Sequence, residues 1–257
     1  MYATSAIGTT PIRRRRFLQT AMGAMAGAVL PAWALSSPRA SGSNGTDQPA
    51  ATPATKALAA KYGRWMKRKG LYRQAGTGLV YPSSYRGTLY DWDLYFDSLA
   101  LLYCGLHQPA IGGIKMFLRS QREDGFICRR IVADPAMAKS GWGPLENEEH
   151  CKPFLCQLAL LVCRASGDAS WLSADDLGRL DRYLDHWVRV CDIDRDGLSE
   201  WNSAPHSGAD TQLKRVGTWR SRFCQGVDIN CYLCVECLAG SELAKALGKQ
   251  EMAARLA

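Results

Sequence analysis

Apolar residues recur at three- and four-residue intervals through most of this chain, and that spacing restricts it to folds built from packed helices. The clearest run is Leu177, Leu180, Tyr183, Leu184, Trp187 and Val190, which belong on one side of a single helix. Ser173-Ala174-Asp175-Asp176 precedes it as a capping arrangement, in which a serine hydroxyl accepts the amide three residues on. Similar segments cover 55–69, 91–104, 109–121, 152–164, 225–247 and 250–257, so seven helical segments are expected between residues 52 and 257. Leu58, Tyr62 and Met66 recur at four-residue intervals in the first, Gly70 ends it, and Asp91 is the expected N-cap of the second. No stretch alternates in the manner of a strand. The expected class is all-α, with antiparallel helix pairs joined alternately by short turns and long polar loops.

The N-terminus carries a different signal. Arg14-Arg15-Arg16-Phe17-Leu18-Gln19 leads into a short apolar stretch from Ala21 to Leu30 and then Ala32-Trp33-Ala34, a small-residue cleavage site. This pattern is that of a twin-arginine export signal over residues 1–34, with the twin-arginine translocase as partner and a periplasmic or secreted destination. The apolar run is too short to span a bilayer, so no membrane association is expected after cleavage. Residues 35–55, rich in Ser, Pro, Gly, Ala and Thr, read as a disordered linker, which leaves 56–257 as the helical domain. The signal holds four arginines and no acid, so the net charge of +8 falls to +4 without it. The remaining Arg and Lys are scattered, which argues against a nucleic-acid partner.

Ten cysteines in an exported chain ordinarily suggest disulfides. Here Cys156, Cys163, Cys231, Cys234 and Cys237 lie inside apolar helical runs, where a thiol behaves as a small buried hydrophobe. Mostly free thiols are expected, and core packing is the preferred reading of the Cys231, Cys234, Cys237 triplet over a cluster site. His150, beside Glu148 and Glu149, fits an acidic helix start better than a metal fragment.

Two regions concentrate chemistry. Asp192 to Asp210 packs four Asp, a Glu, a Trp and a His between two helical segments; no helix survives that composition, and loops of this length inside a domain are usually functional. Tyr90 to Asp97 interleaves three acids with four aromatics. Sugars need that combination, because their C–H faces pack on rings and their hydroxyls donate to carboxylates.

Six segments in order, Tyr90 to Phe96, Gln121 to Phe126, Lys152 to Leu155, Asp194 to Ser203, His206 to Asp210, and Val227 to Asn230, resemble the catalytic (α/α)6 barrel of glycoside hydrolase family 63, mannosylglycerate hydrolases and related trehalases. The resemblance implies an inverting α-glycosidase acting on an oligosaccharide or small glycoside, with no cofactor and no metal. Asp210 matches the general acid of a Ser-Gly-x-Asp sequence, and Trp92 and Asp93 match the pair that lines the sugar pocket. Tyr95 and Phe96 belong to the same motif. Gln121 and Asp124 are implied to meet substrate hydroxyls, and Trp201 and Asn202 to shape the wall beside the acid. Several relatives carry Glu where this chain has His206, a departure that bears on the sugar subsite.

An inverting mechanism also needs a base, and the nearest later acids, Asp228 and Glu236, sit in a structural-looking motif and an apolar helix. The expectation is therefore the N-terminal half of a toroid. Alternatives remain: another (α/α)6 enzyme such as a lyase using His206 and Arg215, or a carbohydrate-binding or calcium-stabilised protein with Asp192, Asp194 and Asp196 in a calcium-like loop.

Overall fold

The computed structural model describes residues 52–85, 87–134, 149–201, 204–207 and 225–257. Residues 1–51, which hold the expected signal segment and most of the expected linker, lie outside that range, as do Asn202, Asp210 and Cys224. Within it the chain is mostly helical. The elements are α1 (Pro53–Trp65), a π turn (Met66–Gly70), β1 (Leu71–Arg73), β2 (Val80–Pro82), β3 (Thr88–Tyr90), α2 (Asp91–Tyr103), α3 (His107–Arg119), β4 (Arg130–Val132), α4 (Leu155–Ser166), α5 (Ala174–Val190), α6 (Ala204–Ser207), α7 (Val227–Ala246) and α8 (Gln250–Leu256). All the long helices coincide with the periodic segments of the sequence.

Four short strands depart from the expectation. β1 pairs antiparallel with β2, and β3 with β4, in two separate two-stranded sheets. Each strand has only three residues, too few to show a period of two. Pairing of β3 with β4 anchors the chain just before α2 against the segment that follows α3, with Thr88 opposite Val132 and Tyr90 opposite Arg130.

α4 occupies the middle. It packs against α2, α3 and α7, and α7 in turn meets α5 and α8. Ile114, Phe117 and Leu118 of α3, Leu155 and Leu158 of α4, and Leu180, Leu184 and Trp187 of α5 are buried here. Burying one such side chain contributes roughly 1.5–3 kcal/mol. The capping box of α5 is formed: Asp176 N–H donates to Ser173 Oγ at 3.1 Å, and Ser173 N–H donates to Asp176 Oδ2 at 2.8 Å. Asp176 also pairs with Lys115 of α3, tying the cap to the core.

Some positions differ from the pattern. Val190, the last residue of α5, is 55% exposed, and Leu58 of α1 is 66% exposed. The helix expected from residue 55 starts at Pro53, whose fixed φ suits the first helical position and whose predecessor, Thr52, accepts Thr55 N–H at 3.2 Å. At residue 125 the expected turn glycine has φ +87°, and a Cβ there would come within 2.3 Å of Arg182 O, so only glycine fits. No helix among the described residues is long and apolar enough to cross a membrane.

Candidate functional site

The site is built on the first turn of α2. Tyr90, not Asp91, is its N-cap. Asp91 is bonded elsewhere. Its Oδ2 accepts Lys152 N–H at 2.8 Å, its Oδ1 accepts Trp92 N–H at 2.6 Å, and Lys152 Nζ lies 3.4 Å from Oδ1. Both side chains of this ion pair are 2% exposed. A carboxylate that bonds a distant backbone amide and a buried ammonium fixes the start of α2 onto the strand-like segment before α4. The same ammonium lies 5.5 Å from the centre of the Trp92 ring, a cation–π contact.

One turn on, Asp93 and Asp97 share a helix side with aromatic neighbours. Burial, and then the negative Asp91, raise the Asp93 carboxyl above its usual range, against the nearby positive Lys152 and Arg129. Burial, and then Asp93, push the Asp97 carboxyl up to about 6. Trp92 meets Phe96 at 5.2 Å and Phe154 at 5.6 Å between ring centres, and Tyr95 stacks on Phe154 at 4.8 Å. Tyr232 of α7 closes the base of the cluster on Phe154 at 5.0 Å. Tyr95 is buried, whereas Trp92 is half-buried and Phe96 is 49% exposed. The structure thus brings four of the expected residues, Trp92, Asp93, Tyr95 and Phe96, together.

Trp201 and His206 form a second, fully buried group. Trp201 Nε1 donates to Asp228 Oδ1 at 3.1 Å, a bond permitted by Gly226, where a Cβ would fall 2.2 Å from that oxygen and 2.8 Å from the indole nitrogen. The Trp201 ring meets Trp187 edge-on, and His206 stacks on Trp187 with ring centres 5.4 Å apart. His206 Nε2 donates to His150 O at 2.6 Å. His206 thus bonds the backbone two residues before Lys152, whose ammonium pairs with Asp91 at the start of α2.

His150 is wholly buried with both ring nitrogens used: Ile127 N–H donates to Nδ1 at 3.1 Å, and Nε2 faces Tyr183 O at 3.4 Å. Burial holds both His150 and His206 well below the ordinary histidine range; further lowering comes from His186 and His206 on His150, and from Lys152 on His206. The acidic helix start expected around His150 is not formed at residues 149–150, which lie outside any helix. Glu149 instead pairs with Arg129 at 2.6 Å, and α4 begins five residues after His150 at Leu155.

Gln121 and Asp124 serve the turn between α3 and β4. Gln121 Nε2 donates to Arg179 O at 2.7 Å, and Asp124 pairs with Arg122 at 2.9 Å while its carbonyl accepts from His186 Nδ1. That hydrogen bond from Arg122 lowers the Asp124 carboxyl. These contacts hold the turn on α5, not on the Trp92 cluster.

The two later acids have structural partners. Asp228 holds Trp201, and Glu236, fully buried in α7, accepts the N–H groups of Cys156 at 2.5 Å and Gln157 at 3.0 Å. Glu236 therefore caps α4 from another helix, where the local residue Phe154 offers no side-chain acceptor. Burial pushes its carboxyl up to about 7, although both backbone donors pull the other way.

Asp192, Asp194 and Asp196 place carboxylate oxygens within 4.8 Å of one another. Asp192 accepts from Asp196 N–H at 3.0 Å and Gly197 N–H at 2.9 Å, and Asp196 accepts from Leu198 N–H at 2.9 Å, so the loop caps itself. The cysteines of α4 and α7, Cys156, Cys163, Cys231, Cys234 and Cys237, carry free thiols. Sequence reasoning assigns no role to Arg129, counts Asp97 only as one acid of the Tyr90 to Asp97 stretch, and takes Lys152 only as the start of a motif and helix; its buried pairing with Asp91 is not legible there. Compared with known proteins, the chain matches no family model and no curated protein sequence.

Proposed function

We propose that this chain binds a glycoside on the aromatic and acidic side of α2 and belongs to an inverting α-glycosidase of the (α/α)6 type. The observation that carries the reading is the juxtaposition of Trp92 and an exposed Phe96 with Asp93 and Asp97, two half-buried carboxyls raised above their usual range. Ring faces of that kind accept the apolar side of a sugar, and carboxyl groups between them accept or donate at its hydroxyls. In this reading Asp210 protonates the departing glycosidic oxygen. A separate carboxylate about 6.5–9.5 Å away activates water on the opposite side of the ring. Twin-arginine export to the periplasm or beyond belongs to the same proposal.

A second reading, sugar binding without turnover, is favoured by one observation. Asp228 and Glu236 are both committed to structural hydrogen bonds, so neither is poised as the base. The two readings separate in one experiment on the full chain, using nitrophenyl α-glucoside and α-mannoside together with trehalose, and following released sugar and tryptophan fluorescence. Turnover that Asp210→Asn abolishes while binding persists supports the glycosidase. Binding that Trp92→Ala removes, with no turnover, supports the binding protein. If neither sugar release nor a Trp92-dependent fluorescence change occurs, the proposal fails.

A further inference from the structure

The positive charge that looks scattered along the sequence is concentrated once the first helix is formed. Residues 48–90 contain no Asp or Glu, and α1 with its π turn carries Lys56, Lys61, Arg64, Lys67, Arg68 and Lys69. None of these six cations pairs with a carboxylate among the described residues. Elsewhere several Lys and Arg are matched, as in Lys115–Asp176, Lys152–Asp91 and Arg179–Asp175.

Three of the six border an open groove of about 600 Å³ between α1 and the C-terminal end of α2. A volume of that size lies within the roughly 300–1,000 Å³ of small-molecule sites. Lys56, Arg64 and Lys67 line it as exposed cations, buried Gly63 and half-buried Leu106 supply an apolar floor, and exposed Ala60 and Tyr103 its sides. The two helices are held together beside it, where Cys104 Sγ donates to Ala59 O at 3.2 Å. No acid among the described residues lines the groove. Arg64 and Lys67 are separated by about one helical turn, a rise of roughly 4.5 Å, so both reach a single head group.

We infer that this groove binds an amphiphilic anion, a phosphate or carboxylate head on an apolar body, with the head against Arg64 and Lys67 and the body over Ala60, Gly63 and Leu106. The cations give charge complementarity that no residue of the described chain supplies, and the floor excludes water from the apolar part of the ligand. The inference is independent of the glycoside site, since none of the residues around Trp92 lines the groove.

Isothermal titration of the full chain with octyl phosphate, inorganic phosphate and octanol tests it. The expected result is one saturable site for octyl phosphate, with inorganic phosphate and octanol each at least tenfold weaker. Arg64→Glu with Lys67→Glu should weaken octyl phosphate at least tenfold, and Ala60→Phe, which fills the groove from an exposed helical position, should do the same. Lys61→Glu with Arg68→Glu, outside the groove on the same helix, should change it less than threefold. Absence of a saturable site, equal binding of inorganic phosphate, or an equal loss in the Lys61 and Arg68 variant would each overturn the inference. Co-sedimentation with phosphatidylglycerol vesicles then identifies the source: association that the Arg64 and Lys67 changes abolish assigns a lipid head group, and octyl phosphate binding without vesicle association assigns a free amphiphile.

Discussion

Replacing Glu236 by glutamine removes a charge from the interior while keeping the shape of the side chain. The carboxyl of Glu236 is fully buried and titrates at about 7, against an ordinary 4.5. A shift of that size corresponds to about 3 kcal/mol, at about 1.4 kcal/mol per pH unit. The folded-state pKa lies above the unfolded one, so the contribution is fully present below pH 4.5 and is lost as the pH rises through about 7. At pH 4.5 the protonated carboxyl and the glutamine amide each offer one acceptor to the N–H groups of Cys156 and Gln157, and the two proteins should be of similar stability. By pH 8 the wild type should have lost about 3 kcal/mol relative to the variant, a difference governed by the linkage between proton binding and folding. Urea unfolding of both proteins at half-unit steps from pH 4.5 to 8.5 measures this, and the difference between them cancels every titration they share. A difference that stays flat across that range would refute the account of Glu236 as a buried, titrating cap.

The histidines act in the opposite direction. His150 and His206 are held neutral below their ordinary range, so the unfolded chain takes up protons first, and stability should fall as pH drops below about 6.5 in both proteins of that pair; urea midpoints between pH 7 and 5 check the sign. Lys152→Ala leaves Asp91 buried without its ammonium and should cost about 3–5 kcal/mol, read from urea unfolding, whereas Lys152→Ala combined with Asp91→Asn should recover part of that loss. Ser173→Ala opens the capping box of α5 and should cost about 1 kcal/mol. In a domain of this size that corresponds to a fall in Tm of about 2–4 °C, measurable by calorimetry.

The helices were legible because their signals are local. Ser173 and Asp176 lie three residues apart and announce α5 by themselves, and the apolar spacing from Leu177 to Trp187 names its buried side. Trp92, Asp93, Tyr95 and Phe96 were equally readable, since one helical turn and a half brings them together. What escaped depends on partners far along the chain. Asp91 looks like a cap because acids so often begin helices, and only the position of Lys152, 61 residues later, shows that it is an ion-pair partner. Glu236 looks like an isolated acid in an apolar helix because the amides it serves are about 80 residues earlier. Gln121 and Asp124 sit in a motif that fits a sugar site; that Gln121 and the Asp124 carbonyl also bond α5 is a packing relation that no short window of sequence contains.

The cap supplied by Glu236 also sets an order of events during synthesis. Cys156 leaves the ribosome 80 residues before the carboxylate that receives its N–H, so the first turn of the central helix must wait, open to water, while the chain between them is made. Chains shortened experimentally before residue 236 should therefore hold that helix loosely at its start, and amide exchange at Cys156 and Gln157 should slow only once the acid has emerged and docked.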